Sequence, residues 1–165
     1  MIRLAVVVAV LVLLAGCGGG EQATPQKKTT PASTTSAPAG PPTLDELVDD
    51  PCAVLTKDDE ATLGVVAGGK TPADGSCGWV AGPGIVSFKP YPDSDETPRI
   101  AAKAGAEPLT VEGRPGVRIA LDTSCFVYVT VADGQSIQVG AAGDAVPDLC
   151  AAPVEFAAVI VRNLR

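Results

Sequence analysis

The chain has 165 residues, with 19 acidic side chains, 12 basic side chains, no histidine and a formal net charge of −7. The absence of histidine excludes Ser–His and Cys–His catalytic pairs and histidine-ligated metal sites. The negative charge and the 4% aromatic content argue against nucleic acid as a partner, because its binding requires clustered cations and stacking rings.

The amino-terminal residues have the pattern of an export signal. Arg3 precedes an unbroken apolar run over residues 4–14, which is shorter than the roughly 20 residues that cross a bilayer as a helix. Leu-Ala-Gly then precedes Cys17, as in the lipobox of bacterial lipoproteins. We predict a lipoprotein signal peptide over residues 1–16 and an acylated Cys17 that anchors the chain in the lipid bilayer, at the extracytoplasmic face of the cell membrane. The alternative is an ordinary secretory signal in which the cysteine is incidental.

The segment after the cysteine has the composition of a tether. Residues 18–43 are rich in Pro, Gly, Ser and Thr and contain no large apolar side chain. Such a stretch buries too little surface to offset the entropy of ordering. We therefore predict a disordered tether over residues 17–43, with O-glycosylation as a hypothesis from its composition, and a globular domain over residues 44–165.

The globular domain opens with two helix patterns. Residues 44–48 form one amphipathic turn with acids near its start. Thr56 is a good N-cap for a second helix, Asp59 holds the capping-box position, and Gly64 is a natural stop.

The middle of the domain favours strands, in pairs that flank turn residues. The pairs are 78–80 with 85–88 around residues 82–84, 109–111 with 117–121 around residues 113–116, and 125–132 with 135–141 around residues 133–134. A short helix is predicted over 97–104. Asp133-Gly134 suits a type I′ hairpin turn, and a two-residue loop pairs Thr130 with Ile137 and Tyr128 with Val139.

The chain closes with a helix pattern over residues 148–164, in which apolar side chains recur at three- and four-residue spacing. Pro153 marks an alternative start. Strands in a meander with helices at both ends predict an α+β fold, an antiparallel sheet packed by N-terminal and C-terminal helices.

Four cysteines remain beside Cys17, and an even number in an exported chain predicts disulfides. Three connectivities are possible. We favour Cys52–Cys77 and Cys125–Cys150, because each pair spans 25 residues and joins neighbouring elements. The alternative, a redox or zinc site, lacks any CxxC spacing.

Two further patterns resemble ligand sites. Residues 64–71 match the phosphate-loop pattern GxxxxGK[ST], but a predicted helix precedes them and Pro72 follows, so we predict no nucleotide. The acidic residues 93–96 resemble the start of a calcium-binding loop, but Pro98 occupies the position at which an EF-hand loop needs glycine. The prediction is no metal, no cofactor and no assigned catalytic residue.

Acidic residues at the helix starts are candidates for general acid and base pairs, although helix starts favour acids in any case. They are Asp45, Glu46, Asp49, Asp50, Asp58, Asp59 and Glu60. Trp79, two residues after Cys77, is either core packing on a disulfide, which we favour, or a ligand platform.

Four segments together resemble a family of actinobacterial lipoproteins that carry a domain of unknown function. They are residues 50–56 (DPCAVLT), 77–79 (CGW), 131–136 (VADGQS) and 148–150 (DLC). The resemblance covers most of residues 50–165 and implies a lipid-anchored extracytoplasmic protein without implying a reaction.

These observations favour a cell-envelope binding, sensory or accessory module whose partner is an envelope protein or a wall component. The alternative is a carboxylate-dependent hydrolase acting on cell-wall material. A third option is a passive structural lipoprotein.

Overall fold

The computed structural model describes residues 40–70, 75–82, 84–143 and 148–164. The helices in these ranges are α1 (Glu46–Asp49), a 3₁₀ helix (Pro51–Val54), α2 (Lys57–Thr62), α3 (Thr97–Ala101) and α4 (Ala151–Asn163). The strands are β1 (Val65–Lys70), β2 (Cys77–Ala81), β3 (Gly84–Tyr91), β4 (Ala106–Val111), β5 (Arg114–Ala120), β6 (Ser124–Ala132) and β7 (Gln135–Ala142). Cys17, the predicted tether before residue 40 and the end of the phosphate-loop match at Thr71 lie outside these ranges.

All seven strands form one sheet in the order β1-β2-β3-β7-β6-β5-β4. Every neighbouring pair is antiparallel. The predicted α+β fold is therefore confirmed, with β7 at the centre of the sheet and with β1 and β4 at its edges.

The starts of the first helices are fixed by reciprocal hydrogen bonds. The Asp59 backbone N–H donates to the Thr56 hydroxyl, and the Asp59 carboxylate accepts from the Thr56 N–H, so the predicted capping box is present. Gly64 follows α2 with φ +67°, which glycine adopts without strain. Thr43 and Glu46 make the same reciprocal pair before α1.

One face of the sheet, which we call the covered face, carries the helices and the main core. α4 packs against β4, β6 and β7, and the 3₁₀ helix packs against β2 and β3. Trp79, Phe88 and Phe156 are almost completely buried there, and the Trp79 and Phe156 ring centroids lie 5.9 Å apart. Trp79 is therefore core packing, as predicted.

Two disulfides fasten the helical layer to the covered face. Cys52 of the 3₁₀ helix pairs with Cys77 of β2, and Cys125 of β6 pairs with Cys150, the residue before α4. Both predicted pairs are confirmed, and Cys77 and Cys125 have no exposed surface. Closing a loop of this size contributes about 3.5 kcal/mol in the chain-entropy treatment.

The predicted register of the β6–β7 hairpin is wrong by one residue. Asp133-Gly134 forms the turn, but Thr130 pairs with Ser136 and Tyr128 with Gln138, because one extra residue, Val131, bulges from β6. The bulge brings Val127 opposite Val139 and Val129 opposite Ile137. All four of these side chains are fully buried, so core packing decides the register.

Other boundaries also differ from the predictions. The β4–β5 turn is Glu112-Gly113, with φ of 49° and 77°, rather than residues 113–116, and β5 begins at Arg114. β1 was not predicted, because glycines interrupt its apolar pattern. α4 begins at Ala151, and Pro153 fits its first turn because backbone N–H groups there have no partner within the helix.

No helix within the described ranges is both long and apolar enough to span a membrane.

Candidate functional site

The second face of the sheet, which we call the open face, differs from the covered face in composition and packing. Side chains alternate between the two faces along each strand, so the residues that lie between the buried core residues point to the open face. In the described part of the chain, α3 packs on one corner of it, near β4, β5 and β6. The middle of the open face is formed by Ser87, Lys89, Tyr91, Phe126, Tyr128, Gln138 and Gly140.

Half of the chain's aromatic side chains lie on the open face. The sequence has one tryptophan, two tyrosines and three phenylalanines. Tyr91, Phe126 and Tyr128 are half-buried on the open face, whereas the other three are in the core. Partly exposed aromatic rings offer large, rigid contact area together with polar edges, which is typical of binding surfaces.

Polar contacts hold the tyrosine end of this surface in place. The Tyr91 hydroxyl donates to Gln138 Oε1 at 2.9 Å. Lys89 Nζ lies 5.7 Å from the centroid of the Tyr91 ring, within the range of a cation–π contact. Gln138 is paired with Lys89 on one side and Tyr128 on the other, so four adjacent side chains form one aromatic and polar cluster.

The electrostatics of this cluster keep Tyr128 neutral. Burial raises the pKa of Tyr128, and nearby Tyr91 raises it further, while the Arg99 charge opposes the rise. Arg99 itself is held by an ion pair with Glu96, which raises the pKa of its guanidinium. A protonated Tyr128 keeps its hydroxyl hydrogen, so it is able to donate a hydrogen bond to a ligand near neutral pH.

The Phe126 ring occupies the space beside Gly140 that a side chain would otherwise fill. Phe126 pairs with Gly140, and a Cβ at Gly140 would lie 2.9 Å from two ring carbons and from Ser87 Oγ. Only a residue without a side chain leaves room for the ring at this height. The local sequence thus builds a smooth aromatic platform in the middle of the face.

A row of exposed apolar side chains, which we call the apolar row, lies at one end of the sheet. Val80 pairs with Ile85, and these side chains are 40% and 58% exposed. Val66, 76% exposed, lies between the β1 residues that pair with Ala81 and Val80. Leu121, 54% exposed, donates its backbone N–H to the Ser124 carbonyl. Ser124 and Ile85 both pair with Ala142, one on each side, so Leu121 lies in line with Ile85.

The N-terminal segment meets the domain at the other end of the sheet. Gly40, Pro41 and Pro42 line a cavity of about 430 Å³ together with the 3₁₀ helix and the end of α4. Thr43 and Leu44 approach the residues around the β6–β7 turn. The described chain therefore enters beside the Asp133-Gly134 turn, away from the apolar row.

A comparison with protein families identifies the chain. The sequence model of the family described as "Protein of unknown function (DUF3558)" matches residues 12–163. The chain belongs to this family. Comparison with curated proteins and with solved structures found no significant match. Membership in the DUF3558 family confirms the domain of unknown function in the predicted resemblance and leaves lipidation and an actinobacterial origin as predictions.

Three of the seven acids predicted as catalytic candidates lie in the first turns of helices and make local contacts there in this DUF3558 chain. Glu46 accepts from Thr43, and Glu60 pairs with Lys57. Burial alone would raise the pKa of Asp59, but hydrogen bonds from Thr56 and Asn163 and the charge of Arg162 outweigh it and hold that pKa below its ordinary value. A general acid needs the opposite shift, toward a raised pKa.

The acidic loop considered for calcium anchors α3 to the open face. Asp95 accepts from the Thr97 N–H and from the Thr130 hydroxyl. The Ser136 hydroxyl accepts from the Glu96 N–H and donates to the Ser94 carbonyl. Among the described residues, no group of three or more Cys, Asp or Glu side chains could hold a metal ion.

The phosphate-loop match has the wrong backbone for phosphate binding over its described part. Residues 65–70 form β1, an edge strand antiparallel to β2. A phosphate loop instead follows a buried strand and opens a helix.

Sequence reasoning missed the open face of the DUF3558 domain. The aromatic and polar residues of this face alternate with buried residues along β3, β6 and β7. Tyr91 and Tyr128 alternate with buried valines and phenylalanine along their strands. Because a tyrosine has an apolar ring and a polar hydroxyl, this placement could have indicated a partly exposed face.

Proposed function

We propose that the protein is a lipid-anchored binding module of the cell envelope. Cys17 holds it to the extracytoplasmic face of the cell membrane, and the open face of the sheet binds a partner. The observation that carries the proposal is the half-buried aromatic and polar cluster around Tyr91, Tyr128 and Gln138, on a face where, among the described helices, only α3 packs at one corner.

Two features support the location outside the cytoplasm. The apolar run and the Leu-Ala-Gly-Cys17 sequence have the order of a lipoprotein signal. The domain also contains two buried disulfides, which form and persist in oxidising compartments and are rare in the cytosol.

Two features support binding rather than hydrolysis. The open face is built from rings, a lysine and an amide that are suited to contact a broad partner surface. A carboxylate-dependent hydrolase needs paired acids with separated pKa values, whereas Asp59 is held ionised and Glu46 and Glu60 serve helix ends.

The anchor is tested by replacing its sulfur. In wild-type cells we expect the chain in the membrane fraction, with its N-terminal peptide carrying diacylglycerol on Cys17 by mass spectrometry. Cys17→Ala should leave an unlipidated chain that loses this anchorage. A wild-type chain that is water-soluble, unlipidated and still carries Met1 would contradict the anchor.

The binding face is tested by photo-crosslinking in intact cells. A photoreactive phenylalanine analogue at Tyr128 probes the open face, and the same analogue at Val48, an exposed residue of α1, is the matched control. We expect a specific product at position 128 and none at position 48. Equal labelling at both positions, or no product at position 128, would remove the open face as the binding site.

A further inference from the structure

Within the described residues, the apolar row is exposed and lies apart from the point where the chain enters the domain. The chain enters the domain beside the Asp133-Gly134 turn, and the apolar row lies near the opposite ends of β6 and β7, at Ser124 and Ala142. β7 has eight residues, so the separation along the strands is roughly 25 Å. The row is therefore apart from the residues by which the chain enters the domain, and the net charge of −7 argues against an anionic bilayer as its occupant.

The dimensions of the apolar row fit one helix. The row crosses six adjacent strands from Val66 beside β2 to Leu121 at the end of β5, which is about 24 Å at the usual spacing between strands. A helix of about 16 residues has that length, and its apolar side chains recur at about the same spacing as the strands.

The area and charge argue against a second copy as the occupant. Val66, Val80, Ile85 and Leu121 expose 76%, 40%, 58% and 54% of their surface, or roughly 400 Å² together, which is half of the about 800 Å² per partner in a stable dimer and suits a weaker, transient contact with one helix. Two copies would also each carry a net charge of −7. The same charge attracts a basic partner.

We propose that the apolar row docks a single amphipathic helix of a basic partner protein. The apolar stripe of that helix covers Val66, Val80, Ile85 and Leu121, and Lys or Arg residues flank the stripe. This inference rests on the proposed function, because it names the class of partner that the open side of the sheet binds and the place where it docks.

The test places the photoreactive analogue at Ile85, Tyr128 or Val48 of the full chain in intact cells, and maps each crosslinked peptide by mass spectrometry. We expect position 85 to give at least about tenfold more product than position 48. The crosslinked segment of the partner should have apolar residues at the spacing of one helix face, that is i, i+3 or i+4, and i+7. It should also have a net positive charge.

A second variant tests the contact itself. Val80→Lys should lower the yield at position 85 by about tenfold, because it places a buried charge under the docked helix and repels the basic residues of that helix. Val48→Lys adds the same charge elsewhere and should leave the yield unchanged. Blocked thiols at Cys52, Cys77, Cys125 and Cys150 show that each variant is folded.

Four outcomes overturn the inference. They are a crosslink from position 85 to another copy of this chain, to lipid, or to a segment without that apolar spacing, and the absence of product at position 85. Product at position 128 without product at position 85 overturns this inference and leaves the proposed function standing. Absence of product at both positions overturns both.

Discussion

The two faces of the sheet use the same few aromatic residues in opposite ways. On the covered face, Trp79, Phe88 and Phe156 are closed in by helices and two disulfides. On the open face, Tyr91, Phe126 and Tyr128 stay half-buried and keep their edges accessible. We therefore expect the covered face to supply most of the folding free energy, which leaves the open face free to be shaped for contact.

The difference between the two faces is tested most strongly by replacing one phenylalanine with alanine on each face. Phe88→Ala should lower the free energy of unfolding by about 3–5 kcal/mol, because Phe88 is fully buried and a cavity remains. Phe126→Ala should cost less than about 2 kcal/mol, because its ring is already half in water. Urea unfolding measures both, and equal losses would contradict the division between the faces.

The next largest effect concerns the bonds that fasten the helical layer to the covered face. Replacing Cys52 and Cys77 with alanine, or Cys125 and Cys150, should lower the free energy of unfolding by about 3.5 kcal/mol. The two costs should be similar, because both pairs have a sequence separation of 25 residues. Denaturant unfolding of the two double variants provides the measurement, and a loss below about 1 kcal/mol for either pair would show that its bond constrains little.

A smaller effect sharpens the description of the open face. Gly140→Ala should destabilise the domain by about 1–3 kcal/mol, because the added Cβ meets the Phe126 ring and Ser87 Oγ at 2.9 Å. In the Phe126→Ala background, the same change should cost much less. A double-mutant cycle by urea unfolding measures this coupling, and strictly additive losses would mean that the ring does not rest on Gly140.

The smallest expected effect lies beside the covered face, where Asn163 of α4 donates to Asp59. Because the folded pKa of Asp59 lies below its ordinary value of 3.8, its ionisation stabilises the fold above pH 3.8, and this stabilisation is lost as the pH falls through the folded pKa. Asp59→Asn should therefore be less stable than wild type at pH 7, by about 1 kcal/mol for a lost cap, with the difference shrinking in acid.

The exposed Asp58 provides the control for that titration. Asp58→Asn should stay within about 0.5 kcal/mol of wild type. A pH profile of unfolding for Asp59→Asn that runs parallel to the wild-type profile below pH 3.8 would show that the capping box does not carry the titration.

The features predicted correctly from sequence are those set by local chemistry. The Thr56 capping box depends on two residues three apart, and the Asp133-Gly134 turn depends on a backbone that glycine adopts readily. The disulfide pairing also followed from spacing between adjacent elements. In each case, the information lies within a short stretch of chain.

The features that were missed depend on distant parts of the chain. The Val131 bulge arises because Val127 and Val129 must meet Val139 and Ile137 in a core formed with α4, which the hairpin sequence alone does not contain. The apolar row likewise forms only when β1, β2, β3 and the β5–β6 loop come together at one end of the sheet. For this reason, the sequence predicted the fold class better than it predicted the candidate site.

The connectivity of the disulfides has a consequence for how the domain matures. The loops 52–77 and 125–150 neither overlap nor enclose one another. If the chain is exported amino terminus first, as proposed, Cys77 arrives while Cys52 is its only available partner in the domain. Joining each cysteine to the one before it therefore produces the native arrangement, and no isomerase is required to exchange wrongly paired thiols.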